Sequence, residues 1–122
     1  MNLENKYYRL VEQKVEGLHG TYHIALLPGC EVYQGHFPGR PVCPGVCNIE
    51  VIKECAIRLT GQPLIISSIK QCRLTNLATP DTCAELVAEL DAKEKEGGYE
   101  VTATIKDDQR TYVEFKGNLT AV

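Results

Sequence analysis

The chain has 122 residues, of which 43% are hydrophobic and 24% are charged, and its formal net charge is −3. This composition is typical of a globular protein, and the length predicts a single domain over residues 1–122. The acidic balance argues against nucleic acid as the main partner. No apolar run reaches the roughly 18 residues that a membrane-spanning helix needs. The polar N-terminus lacks the apolar core of a signal peptide, so we expect a cytoplasmic protein.

Six cysteines raise the question of disulfide bonds or a metal site. Without a secretion signal we expect a reducing compartment, in which disulfides are rare. The chain contains no Cys-x-x-Cys pair, the spacing that zinc sites commonly use. We therefore expect small buried thiols, no bound metal and no other cofactor. The cysteines are Cys30, Cys43, Cys47, Cys55, Cys72 and Cys83.

The first part of the chain predicts two strands joined by a turn. Residues 6–16 carry tyrosine and aliphatic side chains typical of a strand, and residues 21–27 form a second strand that a Pro-Gly pair ends. Gly17 and Gly20 are expected to bracket the turn between them. Two histidines here are expected to be ordinary strand or turn residues, namely His19 and His23.

A helix is predicted over residues 44–59, and Gly61 with a proline beyond it stops that helix. At about 100° per residue, the apolar residues occupy one broad arc, so most of the helix should be buried. A buried helix that presents two glutamates on one narrow stripe needs a functional reason. The apolar arc holds Ile49, Ile52, Cys55, Ala56 and Leu59, and the stripe holds Cys47, Glu50, Glu54 and Arg58.

The second half of the chain predicts four more strands, over residues 64–71, 82–92, 99–106 and 111–122. The third of these alternates clearly between polar and apolar side chains, and turns over 96–98 and 107–109 are expected to form hairpins. Residues 87–96 are also readable as helix, because they are rich in Ala, Glu and Lys. Two strands, one buried helix and four strands indicate an α+β fold with an antiparallel sheet around a central helix.

The most informative stretch covers residues 36–50 and reads H-F-P-G-R-P-V-C-P-G-V-C-N-I-E. Its prolines and glycines make the first half a stiff, irregular loop, and the second half opens the predicted helix. The imidazole of His36 lies on the loop, and the carboxylate of Glu50 lies one turn into the helix. His and Glu are the commonest residues for proton transfer, so we interpret them as an acid/base pair held on rigid supports.

This stretch closely resembles the β-hydroxyacyl-acyl carrier protein dehydratases of fatty-acid synthesis, whose signature is H-F-P-G-x-P-x-x-P-G-V-x-x-x-E. Every fixed position of the signature is present at the right spacing. The resemblance implies a hot-dog fold and a hydro-lyase that converts a β-hydroxyacyl thioester on acyl carrier protein to the trans-2-enoyl product, in fatty-acid or polyene-type lipid biosynthesis. It also implies a homodimer whose active sites combine the His of one protomer with the acid of the other. A heterodimer or a larger ring is left open.

The resemblance also implies a role for each residue of the site. His36 would take a proton from the carbon next to the thioester carbonyl, since an unperturbed histidine titrates near working pH. Glu50 would orient or protonate the departing hydroxyl. The backbone N–H of Gly45, at the helix start, would hold the enolate-like oxygen. The residues expected to border the substrate beside Gly45 are Phe37, Pro44 and Val46.

Two residues near the acid are expected to modulate it, Cys47 and Glu54. Relatives commonly carry Gln where this chain has Glu54. A second carboxylate four residues after Glu50 would favour keeping one of the two protonated, because like charges at this spacing repel. In the alternative, Glu54 pairs with Arg58 and leaves Glu50 alone.

The carrier protein is acidic, so a local basic patch near the mouth of the acyl tunnel is expected to receive it despite the acidic total charge of this chain. Arg40 is the first candidate for this docking role, followed by Lys70 and Arg73. Lys70 and Arg73 are equally readable as ordinary solvated side chains.

Two other functions fit the pattern less well than dehydration. A hot-dog thioesterase would use the helix carboxylate to activate water, but it leaves the H-F-P-G loop unexplained. A non-catalytic partner subunit that only binds acyl chains would usually have lost the His or the Glu, and both are present.

Overall fold

The computed structural model describes residues 5, 7–27, 45–74 and 85–122. This part of the chain contains six strands and one α-helix. In chain order they are β1 (Tyr8–Glu16), β2 (His19–Leu26), α1 (Gly45–Thr60), β3 (Leu64–Leu74), β4 (Glu85–Lys95), β5 (Gly98–Lys106) and β6 (Thr111–Ala121).

The six strands form one sheet in the order β1-β2-β4-β5-β6-β3. Every neighbouring pair is antiparallel. Helix α1 packs mainly against β2, β3, β4, β5 and β6, because the sheet wraps around it as twisted antiparallel sheets do. The predicted α+β class, with an antiparallel sheet around one helix, is confirmed.

The core lies between the helix and the inner face of the sheet. β5 illustrates how the sequence builds this face: Val101, Ala103 and Ile105 are buried, whereas the residues between them are at least partly exposed. A valine or isoleucine side chain that is fully buried in this way contributes roughly 1.5–3 kcal/mol through the hydrophobic effect. The period of two residues therefore fixes which face of the strand meets α1.

The buried surface of α1 is broader than the predicted arc. Ile52, Cys55, Ala56 and Leu59 are buried as expected, but Ile49 is only partly buried and Val51 is completely buried outside the arc. The difference arises because the sheet curves around the helix and covers more than one side of it.

The C-terminal end of α1 is stopped by the predicted glycine. Gly61 has a φ of +70°, the left-handed conformation that glycine adopts without steric cost. Its N–H donates a 2.9 Å hydrogen bond to the carbonyl of Ile57, and the hydroxyl of Thr60 donates to the carbonyl of Ala56. The first of these bonds satisfies a carbonyl that the helix end would otherwise leave unpaired.

The turn between β1 and β2 differs from the prediction. Gly17 is in the turn, with a φ of +61°, but Gly20 lies inside β2 and pairs with Val15. The ring of Tyr22 explains why position 20 needs a glycine. A Cβ atom at position 20 would lie 2.6 Å from that ring, so a side chain there would displace a buried aromatic residue.

The strand ends in the second half also shift, and the helical alternative for residues 87–96 is wrong. Those residues belong mostly to β4, which is hydrogen-bonded on both sides, to β2 and to β5. Pairing on both sides over residues 87–91, and with β5 alone over residues 92–95, satisfies backbone groups of the segment and outweighs its helical composition. β3 continues to Leu74 rather than ending at residue 71, and the Glu96–Gly97 turn begins β5 one residue early, at Gly98. The predicted strand residues 82–84 lie outside the described ranges.

Candidate active site

The described structure contains the helix half of the predicted site. His36, Phe37, Arg40 and Pro44 lie outside the described residues, as do Cys30, Cys43 and Cys83. Gly45 and Val46 open α1. The first N–H groups of an α-helix have no partner within it, so the backbone of Gly45 is at a position suited to receiving an oxyanion.

Glu50 lies in the second turn of α1, where the helix is largely covered. Its side chain is 13% exposed, and the ammonium nitrogen of Lys53 lies 2.7 Å from its Oε1. Oε1 itself is buried, and Lys53 contacts it as an ion pair. The carboxylate therefore has a cation as an immediate neighbour on its own helix.

Glu54, the second carboxylate of the stripe, has a partner on the sheet. The hydroxyl of Tyr8 donates a 3.0 Å hydrogen bond to its Oε1. Each of the two glutamates thus has its own neighbour, Lys53 for Glu50 and Tyr8 for Glu54. Pairing of Glu54 with the exposed Arg58, one turn further on, stays a prediction.

A second tyrosine, the residue before β1, contacts the start of the helix. The hydroxyl of Tyr7 donates a 3.0 Å hydrogen bond to Oδ1 of Asn48, and both side chains are buried. Asn48 lies two residues before Glu50. The tyrosine pair Tyr7 and Tyr8 therefore holds α1 on both sides of Glu50 along the chain.

Sequence reasoning missed these three neighbours for different reasons. Lys53 lies three residues after Glu50, a spacing at which helix side chains meet, so the ion pair was readable from the chain itself. Tyr7 and Tyr8 are 41 and 46 residues away from their partners. No local pattern points to contacts across such a separation.

The described cysteines agree with the expectation of buried thiols. Cys47 and Cys55 are buried, and Cys72 is partly buried. Burial raises the pKa of the Cys72 thiol. The modulating role of Cys47, which lies near the start of α1 in the core, stays a prediction.

Lys70 and Arg73, the predicted docking residues, lie on β3, which is an edge strand of the sheet. Lys70 forms an ion pair with Glu100, which also contacts the ammonium of Lys95 at 3.2 Å. Hydrogen bonds from Lys70 and then Lys95 lower the pKa of Glu100 to about 2. Lys70 is therefore partly neutralised by Glu100, whereas Arg73 lies opposite Glu114 in the β3–β6 register.

A cavity of about 530 Å³ lies far from Glu50, at the other end of α1. The cavity is lined by Gln62, Tyr99 and the β4–β5 turn.

Within residues 5, 7–27, 45–74 and 85–122, no three His, Cys, Asp or Glu side chains are grouped as a metal site requires. The one helix in these ranges is too short and too polar to span a membrane.

Comparison with known proteins identifies the family. The model of the ApeI-like dehydratase family matches residues 12–116. A 3-hydroxyacyl-[acyl-carrier-protein] dehydratase FabZ from Levilactobacillus brevis is 31% identical over 99 residues, which cover 72% of this chain and 67% of the relative. The corresponding FabZ from Erythrobacter litoralis is 27% identical over 104 residues, covering 75% of this chain and 69% of the relative.

Solved structures confirm the hot-dog fold. The dehydratase heterocomplex ApeI:P from Xenorhabdus doucetiae contains a chain that matches with a TM-score of 0.79 at 23% identity, over 92% of this chain and 96% of that one. An uncharacterised protein from Erwinia carotovora subsp. atroseptica matches with a TM-score of 0.66 at 21% identity, over 92% of each chain. The predicted kinship with β-hydroxyacyl-acyl carrier protein dehydratases, which are hydro-lyases, is confirmed by the relatives and the family model together. The chain belongs to the ApeI-like dehydratase family.

Proposed function

We propose that this chain removes water from a β-hydroxyacyl thioester carried on acyl carrier protein and forms the trans-2-enoyl product. One observation carries the proposal: a complete dehydratase signature over residues 36–50 leads into a helix on which Glu50 lies partly buried beside a cation. Membership of a dehydratase family supports the reaction type. The FabZ names of the relatives support the substrate class.

The reaction divides between three groups of the site. His36 accepts the proton from the carbon next to the thioester carbonyl, and that electron pair forms the new double bond. The Cβ–O bond breaks, and the hydroxyl takes a proton from Glu50 and leaves as water. The N–H of Gly45 stabilises the negative charge on the carbonyl oxygen, as preorganised donors do at an oxyanion. Proton return from His36 to Glu50 through water completes the cycle.

The active unit in this proposal is a homodimer in which each site combines His36 of one protomer with Glu50 of the other. β3 supports it, because this strand forms an edge of the sheet and carries two exposed isoleucines, Ile65 and Ile69. An exposed apolar edge strand invites pairing with another chain. The matching structure from Xenorhabdus doucetiae is a dehydratase heterocomplex. A heterodimer is therefore the alternative assembly that an experiment must distinguish from the homodimer.

The carrier protein is proposed to approach through Arg40, with Lys70 and Arg73 in support. Acyl carrier proteins are acidic, so cations at the entrance would raise the rate of encounter. Arg40 is the stronger candidate, because Glu100 already engages Lys70. The negative charge of Glu100 offsets the positive charge of Lys70, so Lys70 attracts an acidic partner less strongly.

Mass spectrometry of the carrier tests the reaction directly. The purified chain is incubated with β-hydroxyacyl-acyl carrier proteins of several chain lengths, and we expect loss of one water from the acyl group. Loss of the whole acyl group would identify a thioesterase instead. An unchanged carrier with every chain length would contradict dehydration and favour a non-catalytic subunit.

Variants connect the reaction to the proposed residues. We expect His36→Ala and Glu50→Gln each to lower the rate by about 10²- to 10⁴-fold, the usual cost of removing a general acid or base. Glu12→Gln is a matched control, because Glu12 is an exposed residue of β1. A rate within a few-fold of the parent in either test variant would remove that residue from the mechanism.

A further inference from the structure

We propose that Lys53 is a positioning residue for Glu50, an inference that rests on the proposed dehydratase function. Its ammonium lies 2.7 Å from Oε1 of Glu50, and its own side chain is only 18% exposed. The pair is therefore largely shielded from water, where an ion pair is screened less than at the surface.

The contact determines which oxygen of Glu50 meets the substrate. Oε1 is completely buried, although the side chain as a whole is 13% exposed. The exposed area of the side chain is therefore on its other atoms. Lys53 holds Oε1 inward, so a hydroxyl group that approaches from solvent reaches the carboxyl group at Oε2.

The charge of Lys53 also acts during the reaction. When Glu50 gives its proton from Oε2 to the leaving hydroxyl, the carboxyl group becomes a carboxylate. A fixed cation beside it stabilises this developing negative charge, and it does so without reorganisation because the contact already exists. Because Lys53 contacts Glu50 and acts on the substrate only through it, its loss is expected to lower kcat more than it raises KM.

The second carboxylate of the stripe, Glu54, has a contact of its own with the sheet. The Tyr8 hydroxyl binds Oε1 of Glu54 from the sheet side. Lys53 contacts Glu50 at the i, i+3 spacing that favours such pairs.

The test compares Lys53→Met, Lys53→Arg and a control on a short β-hydroxyacyl thioester mimic, which removes carrier docking from the measurement. Lys53→Met keeps the length of the side chain and removes its charge, so we expect kcat to fall about 10- to 100-fold, the scale of a misplaced catalytic group. Lys53→Arg restores the cation, and we expect it to recover most of that loss. Lys106→Met removes a lysine that pairs with Glu89 at 3.3 Å on the outer face and should leave kcat at the parent value.

The outcomes separate this proposal from the proposed function. An active parent with an unchanged Lys53→Met would refute the role of Lys53 alone. Equal losses in Lys53→Met and Lys53→Arg, accompanied by equal drops in Tm, would also refute it, because they indicate packing. A parent that dehydrates no thioester would refute the function and the role of Lys53 together. A kcat loss that Lys53→Arg reverses, with Tm at the parent value, supports the proposal.

Discussion

The hydroxyl of Tyr7 donates a 3.0 Å hydrogen bond to Oδ1 of Asn48, 41 residues further along the chain. Because both side chains are buried, removal of the hydroxyl leaves an amide oxygen in the core without this donor. We expect Tyr7→Phe to lower the free energy of unfolding by about 1–3 kcal/mol. Urea denaturation with an unchanged m-value measures this. In a double-mutant cycle with Asn48→Leu, the two losses should not add; fully additive losses would contradict a direct interaction.

Tyr22 is another buried tyrosine, but we do not expect the loss of its hydroxyl to destabilise the protein. Its hydroxyl is buried and has no hydrogen-bond partner among the described residues. Burial is the main cause that raises its pKa to about 12, with the Cys55 thiol adding to the shift and Arg58 opposing it. We expect Tyr22→Phe to leave stability unchanged or to raise it by up to about 1 kcal/mol, because an unsatisfied buried hydroxyl is costly. Urea denaturation measures this change. A clear decrease in the free energy of unfolding of Tyr22→Phe would show that the Tyr22 hydroxyl makes a stabilising hydrogen bond, which would contradict this expectation.

His19 links the pH dependence of stability to the outer face of the sheet. Its Nδ1 lies 2.7 Å from Oδ1 of Asp91 across the β2–β4 pair. The hydrogen bond to Asp91 raises the pKa of His19, and the charges of Asp91, Glu89 and Glu16 add to the effect. A raised folded-state pKa means that the stabilisation is fully present below the unfolded value and is lost as pH rises through the folded value.

The matching experiment is a pair of melting curves for each protein. His19→Gln should lower Tm at about pH 5.5, below the unfolded histidine value of about 6.5, and should have little effect at about pH 8.5, where histidine is neutral. Asp91→Asn should reproduce this pattern, because it removes the partner rather than the imidazole. A Tm loss of the same size at both pH values would show that His19 acts through packing instead.

Shared active sites predict complementation between two inactive variants. In a dimer of His36→Ala with Glu50→Gln, one site carries both substitutions and the other carries neither. Mixing the two proteins under conditions that exchange subunits should therefore restore part of the activity. Mass spectrometry of the intact dimers verifies the exchange. If hybrid dimers form and activity stays at the level of the single variants, both residues act within one protomer.

Carrier docking through Arg40 predicts a difference between two substrates. Arg40→Glu should reduce the rate sharply on carrier-bound substrate and little on a short thioester mimic, because only the carrier presents an acidic surface. Added salt should weaken the parent in the same selective way. Arg110→Glu reverses a charge in the β5–β6 turn and is the matched control. Equal losses on both substrates would assign Arg40 to the loop structure or to the chemistry.

Local patterns in the sequence were sufficient to predict most of the secondary-structure elements and the family. The helix predicted over residues 44–59 is observed at Gly45–Thr60, and alternation over 99–105 correctly identified β5. These predictions succeed because a helix end such as Gly61, or the two faces of a strand, depends on residues a few positions apart. The signature over residues 36–50 is equally local, and it predicted the family that the comparisons confirm. The roles of His36 and Glu50 stay predictions.

Only the tertiary structure decided the surroundings of the helix. Composition left residues 87–96 open between helix and strand, and pairing with β2 and β5 on both sides selected the strand. Tyr7 and Tyr8 reach α1 across more than 40 residues of sequence. Such contacts depend on how the whole sheet wraps the helix, and the packing of distant segments is not encoded in any short stretch of the chain. For the same reason, the sequence by itself named Glu50 but did not show how Tyr7 and Tyr8 anchor its helix to the sheet.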